Sequence, residues 1–206
     1  MAESSPKLIK NGKQANAVVT LVCVDGKKWT VKDFSSRPWY VRKFVGPFMV
    51  SREYKALSRV AGMKGVAEEV FKVDELALAI RYVEGSQLDK VDSRRITSEF
   101  LISLERLVDA LHERGVVHLD LRGSGNILMS PQGEPVIIDF QSSICTDWMP
   151  VFLRKFLGDF DMSGVLKKWK TYRPEEMGDE RRRELERINN IRKRWIFKGY
   201  GIKIKK

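Results

Sequence analysis

The stretch HLDLRGSGNIL at 118–128, followed by VIIDF at 136–140, decides how the rest of the chain is read. His118 and Asp120 lie one residue apart, two glycines and Asn126 follow, and a short apolar run ends on Asp139-Phe140. Polar side chains set between apolar runs are expensive to bury unpaired. They are therefore either the hydrogen-bonding groups of a tight turn or the ligands of something charged.

Working outward, NILMS (126–130) and PVIIDF (135–140) read as two short strands joined by PQGE. Upstream, residues 93–115 read as a helix opened by Ser93 as N-cap and closed by Gly115. Its Phe100, Leu101, Leu104, Leu107, Val108 and Leu111 form a wide apolar stripe that must pack on a core. GVAEEVFKV and LALAIRYV read as strands on either side of Val73-Asp74-Glu75, and PFMVSREYKALSRVAG as a helix between Pro47 and Gly62. ANAVVTLVCV and KKWTVKDF are β-rich runs joined by Asp25-Gly26, a hairpin signal, and KLIK with Asn11-Gly12 adds a further strand and turn. Beyond Asp139 the pattern is helical, with VFLRKFLGDF, SGVLKKWKTY and a long segment from Pro174 to about Phe197. Five strands with one helix, then mostly helices around one small hairpin, predict two lobes of different class.

Composition bounds the setting. A chain of 206 residues with 43% apolar and 32% charged content suits a globular domain with a proper core. The longest apolar run, AVVTLVCV, is far too short to span a bilayer, and the polar opening lacks the order of a signal peptide. Cys23 and Cys145 have no paired spacing, so neither a zinc site nor a disulfide framework is indicated. The expected setting is the cytosol, with peripheral contact at the inner face of a membrane left open. Residues 181–206 hold eleven Lys/Arg against two Glu, a net +9 out of +11 for the whole chain, so the basic character belongs to the tail.

Phosphoryl transfer needs few groups in fixed places: a lysine for nucleotide phosphates, a carboxylate to hold it, an aspartate for the acceptor proton, and an asparagine and a second aspartate for Mg²⁺. The chain supplies them in that order. TVKDF places Lys32 on a strand, SREYKAL places Glu53 on the next helix, HLDL gives Asp120, and Asn126 and Asp139 follow. Through these elements the sequence resembles the protein-kinase-like superfamily over roughly residues 7–145. REYKAL, the short length and DF without its glycine look closest to RIO-like kinases and bacterial lipopolysaccharide core kinases.

The resemblance implies an α+β, two-lobed fold, with a β-rich N-lobe over 1–83 and a truncated, mainly helical C-lobe over 84–206. It implies ATP and Mg²⁺ as cofactors and gives each residue a role. Lys32 would pair the nucleotide phosphates and Glu53 would orient it. Asp120 would be the catalytic base, Arg122 would steady the transferred phosphate, and Asn126 and Asp139 would ligate Mg²⁺. His118 would be a structural brace. IRYVEG looks like the hinge, whose backbone near Arg81 and Val83 would hydrogen-bond adenine. The sequence departs from the pattern in three places: KNGKQANAVV offers only Gly12 where a glycine-rich loop would cover the phosphates, Asp120 and Asn126 stand one residue further apart, and DFQ replaces DFG.

The resemblance favours a serine/threonine protein kinase, with a lipopolysaccharide-type sugar hydroxyl as the other live acceptor. A different class competes: a pseudokinase module that docks an anionic partner through residues 181–206. RPEE at 173–176 reads as a helix start rather than as the close of an activation segment. With 67 residues after Asp139, a full peptide-docking platform is not expected. In the tail, Leu185, Ile188, Ile191 and Trp195 share a helical face that either packs on the C-lobe or meets an anionic membrane surface, RNA or an acidic substrate. SSRPWYVRKF at 35–44 is a second basic-aromatic patch with the same choices open.

Overall fold

The computed structural model describes residues 6–11 and 16–194, with side chains to residue 191. Five antiparallel strands form the first layer: β1 Lys7–Asn11, β2 Val18–Val24, β3 Lys27–Asp33, β4 Val70–Lys72 and β5 Ala77–Arg81, in the order β1-β2-β3-β5-β4. The β2–β3 hairpin turns at Asp25-Gly26 with both residues at positive φ, 49° and 74°, as a two-residue turn of the right twist requires. The turn expected after Asn11, with Gly12, lies outside the described residues.

Helix α1, Gly46–Val60, crosses this sheet and is entered through a wide turn at Val41–Val45. It buries Val50, Glu53, Ala56, Leu57 and Val60. Helix α2, Ser98–Glu113, carries the predicted stripe, and all six stripe residues are buried. Its N-cap is Thr97, whose hydroxyl accepts from the Phe100 amide, and not Ser93. Asp92 caps a separate short turn at 93–95, which leaves the helix to begin two residues after Ile96.

Short strands follow: β6 Ser86–Gln87, β7 Val116–Val117, β8 Ile127–Met129, β9 Pro135–Ile137 and β10 Ile144–Cys145. They form a β6-β8-β9 sheet and a β7-β10 pair, which frame the 118–128 loop from both sides. The two helical segments expected after Asp139 are one helix, α3 Val151–Tyr172. The last helix, α4 Gly178–Arg194, starts four residues after Pro174, because residues 174–177 form a turn. Leu185 and Ile188 are buried on this helix, so the packing alternative holds for that part of the basic tail. Trp195 and everything after it lie outside the described residues.

Helix α3 runs directly beneath the 118–128 loop. A Cβ added at Gly164 would stand 2.7 Å from the Leu121 carbonyl carbon and 3.0 Å from the Arg122 amide nitrogen. Both contacts are backbone, so neither can swing aside. Gly164→Ala is therefore expected to cost about 1–3 kcal/mol, as overpacking of a close-packed contact does. A lowered urea midpoint at unchanged slope would register it, and wild-type stability would mean that helix and loop can separate freely.

Candidate active site

The site begins with a buried cation. Lys32, on β3, has its ammonium 2.6 Å from Glu53 Oε1 on α1 and 2.5 Å from Asp139 Oδ1 just after β9. Burial pulls the Lys32 pKa down, but the Glu53 and Asp139 carboxylates outweigh it and hold it above the ordinary lysine value. Burial also works against ionisation of Asp139, yet Lys32 beside it keeps that carboxyl below its usual range. For Glu53, burial dominates and pushes the carboxyl up. Three residues that are 107 positions apart at the extremes thus meet in one hydrogen-bonded cluster.

Asp139 reaches Lys32 from an unusual backbone, with φ 64° and ψ 66°. Left-handed geometry costs a non-glycine residue of order 1–3 kcal/mol, and such strain collects at functional positions. Phe140 anchors the turn from the other side, fully buried, with its ring edge-on to His118 at 4.9 Å between centroids.

His118 is the predicted brace. Its Nε2 lies 3.1 Å from the Ile138 carbonyl, and the Asp120 amide donates to Nδ1 at 3.3 Å. A carbonyl can only accept, so Nε2 carries the proton and the ring is neutral. Burial agrees, since it lowers the His118 pKa.

Asp120 and Asn126 are brought together in spite of their longer spacing. The Asn126 amide donates to the Asp120 carbonyl at 3.0 Å and to Asp120 Oδ2 at 2.9 Å. Gly123 and Gly125 lie in the intervening turn, and a side chain at Gly123 would meet nothing within 4 Å. The extra residue is therefore taken up in open space.

Two expected site residues differ. Arg122 turns toward the helices: its guanidinium donates to Ser163 Oγ and Asn189 Oδ1, each at 3.3 Å. In this state it ties the loop to α3 and α4 and is not directed at Lys32. Arg81 has its amide committed to the Glu69 carbonyl at 2.8 Å, so it cannot donate to an adenine. Its guanidinium stacks over Trp29. Val83 lies in the irregular stretch after β5, beside a cleft of about 330 Å³ walled by Tyr82, Glu84, Gly85 and Met129.

Sequence reasoning missed the residues under the loop. Asp161 on α3 is fully buried and accepts from the His118 amide at 2.6 Å and the Leu119 amide at 2.6 Å, while His112 Nε2 lies 3.1 Å away. Leu119 is held at φ 67° between these bonds. Lys168, two turns further along α3, donates to the carbonyls of Arg122 at 2.8 Å and Gly123 at 3.0 Å. Burial first, then neighbouring Lys167 and Arg122, bring its pKa down to about 8. No motif signals either residue, since a polar group on a helix with no apolar stripe reads as solvent-facing.

A strand lysine held by a helix glutamate, an aspartate–asparagine loop and a second aspartate on a turn define a protein-kinase-like phosphotransferase. The RIO domain family model matches residues 26–157, well over half of the chain, and the chain belongs to that family. It is a kinase. Two solved structures of Rio2 kinase from Chaetomium thermophilum share the fold, each with 94% of this chain covered. The ADP/Mg²⁺–phosphoaspartate complex matches at TM-score 0.58 and 16% identity over 71% of its own chain. The second Rio2 kinase structure matches at 0.56 and 15% over 73%. No curated protein matches the sequence.

Replacing Lys32 by Met would leave Glu53 buried without its cation, and its carboxyl would bind a proton more readily folded than unfolded. A carboxyl whose folded pKa is raised loses stability as pH rises above its unfolded value near 4.5. The stability of Lys32→Met should therefore fall more steeply than that of the wild type between about pH 5 and pH 8, because the wild-type Glu53 keeps the cation that offsets part of its burial. Urea melts across that range test it, and parallel curves would mean that Glu53 is hydrated after all.

Proposed function

We propose that the chain is an ATP- and Mg²⁺-dependent kinase that moves the γ-phosphoryl group to a serine or threonine hydroxyl of a protein. One observation carries the reading: the Lys32 ammonium stands between Glu53 and Asp139, with the hydrogen-bonded Asp120–Asn126 pair on the adjoining loop. The donor set suits a hard cation. Asp139 gives Lys32 its Oδ1, which leaves Oδ2, and Asn126 uses its amide nitrogen on Asp120, which leaves its carbonyl oxygen. Among the described residues no three His, Cys, Asp or Glu side chains gather as a metal cluster. One carboxylate oxygen and one amide oxygen suit Mg²⁺, which is held by one or two protein carboxylates together with substrate phosphates.

ATP supplies the transferable phosphoryl group, and Mg²⁺ offsets its charge. The protein supplies position. Lys32 presents its ammonium to phosphate oxygens, and Glu53 keeps it from turning away. Asp120 takes the hydroxyl proton as the new P–O bond forms and the bond to ADP breaks. The His118–Ile138 and Asp120–His118 bonds keep Asp120 from drifting. The RIO domain match and the Rio2 fold support protein over glycolipid as acceptor, and the Rio2 complex, which holds ADP and Mg²⁺, supports those cofactors.

Asp120→Asn is expected to lower ADP formation by about 10²–10⁴-fold, the usual worth of a general base, with nucleotide affinity little changed. In calorimetric titrations, Asp139→Ala should lose the Mg²⁺-dependent part of ATP binding. Turnover retained by Asp120→Asn would remove that residue from the chemistry. Phosphate transfer to lipopolysaccharide core but not to basic protein substrates would overturn the acceptor, and nucleotide binding without any turnover would make the chain a binding module.

A further inference from the structure

Between β3 and α1 the chain exposes an unusual amount of aromatic surface. Trp39 is 66% exposed, Tyr40 45%, Phe44 61% and Phe48 58%. Tyr40, Phe44 and Phe48 are spaced by four residues along the wide turn and the first turn of α1, so they stand on one side of it. The opposite side is fixed to the core by Val41, Gly46 and Val50. None of the residues assigned to the kinase site lies on this surface, and folding would be served better by covering it.

Along the segment itself the charges are all of one sign. From Ser35 to Ser51 the chain carries Arg37, Arg42 and Lys43 and no acidic residue, while the Arg52 guanidinium that follows is bonded to the Ser142 and Ser143 carbonyls. We infer that this ridge is a docking surface for an anionic lipid bilayer, with the aromatic side chains entering the headgroup boundary and the cations meeting lipid phosphates. Three observations favour that occupant. The ridge residues line neither the cleft beside the hinge nor the one beneath α4. A second copy would bring the same cations against each other. Cations already stand against the exposed rings: Lys43 lies over Phe44 at 5.6 Å and Arg52 over Phe48 at 5.9 Å, while Trp39 meets Tyr40 edge-on at 6.1 Å. Apolar bulk flanked by cations is what insertion at a membrane surface needs. Among the described residues no helix is long and apolar enough to cross a membrane, so the contact is peripheral.

The inference stands apart from the kinase chemistry and is tested without nucleotide. The full chain is sedimented with vesicles of phosphatidylcholine alone and of phosphatidylcholine mixed with phosphatidylglycerol, at low and high salt. Binding to the mixed vesicles, weakened by salt, is expected. Phe44→Ser/Phe48→Ser and Arg42→Glu/Lys43→Glu should each weaken it by about tenfold or more. Both pairs are exposed, so wild-type melting temperatures should accompany the loss and exclude unfolding as its cause. Three results would overturn the inference: no binding to the mixed vesicles, binding unchanged in both double variants, or a ridge that proves to hold single-stranded oligonucleotides or a second copy instead.

Discussion

A lysine ammonium taken out of water has to be met by carboxylates, and Lys32 is met by two that come from opposite halves of the chain. Desolvating a charge costs several kcal/mol even after relaxation, so leaving either side open is not a stable option. Glu53 answers from α1 and fixes how that helix lies on the sheet. Asp139 answers from the turn after β9, and this reach requires the left-handed backbone that Phe140 pins from beneath. The same cluster that would receive phosphates therefore also sets how the sheet, α1 and the turn after β9 sit together.

The loop beside this cluster is held from below by polar groups of α3. Asp161, Gly164 and Lys168 recur at three and four residues along α3, so they share one face. The aspartate takes two amides at the start of the loop, the glycine lets the backbone of Leu121 come close, and the lysine closes two carbonyls at the far end. Two amides at one end of the loop and two carbonyls further along are thus satisfied from a single helix, as burial demands. One helix face thus does the positioning that otherwise needs several elements.

This explains what was legible in the sequence and what was not. The strands around Asp25-Gly26, the Pro47 helix and the α2 stripe announce themselves by turn chemistry and apolar spacing, and the structure has all three. Lys32, Glu53, Asp120, Asn126 and Asp139 are legible because phosphoryl transfer fixes their order, and the cluster joins the first two to Asp139. Helix α3 is a different matter. Its buried face includes Asp161, Ser163, Gly164 and Lys168, so no apolar stripe marks it, and it reads as two pieces with a polar gap. Arg122 misleads for a related reason: its place beside Asp120 is fixed by the chain, but its direction is chosen by Asn189, 67 residues away. Long-range polar pairing leaves no local period to read.

Charge was also harder to read than its count suggests. The tail's excess of Lys/Arg points to an external partner, yet three of its eleven cations, Arg181, Arg182 and Arg187, have carboxylate partners within the fold. Arg181 forms a paired contact with Glu105 and lies over Trp169 at 4.4 Å, and Arg187 bonds Asp159 and Glu184. Their partners lie on α2, on α3 and on α4 itself, so along this stretch the helix works as a clamp on the C-terminal half. The 35–52 segment is the reverse case: it carries few cations, but no carboxylate lies among them in sequence and bulky apolar groups stand exposed beside them. What a partner feels is the charge left after the fold has made its own pairs, together with the apolar surface next to it. By that measure the membrane contact inferred above rests on apolar bulk beside a few cations, and a count of Lys and Arg alone would not have pointed to it.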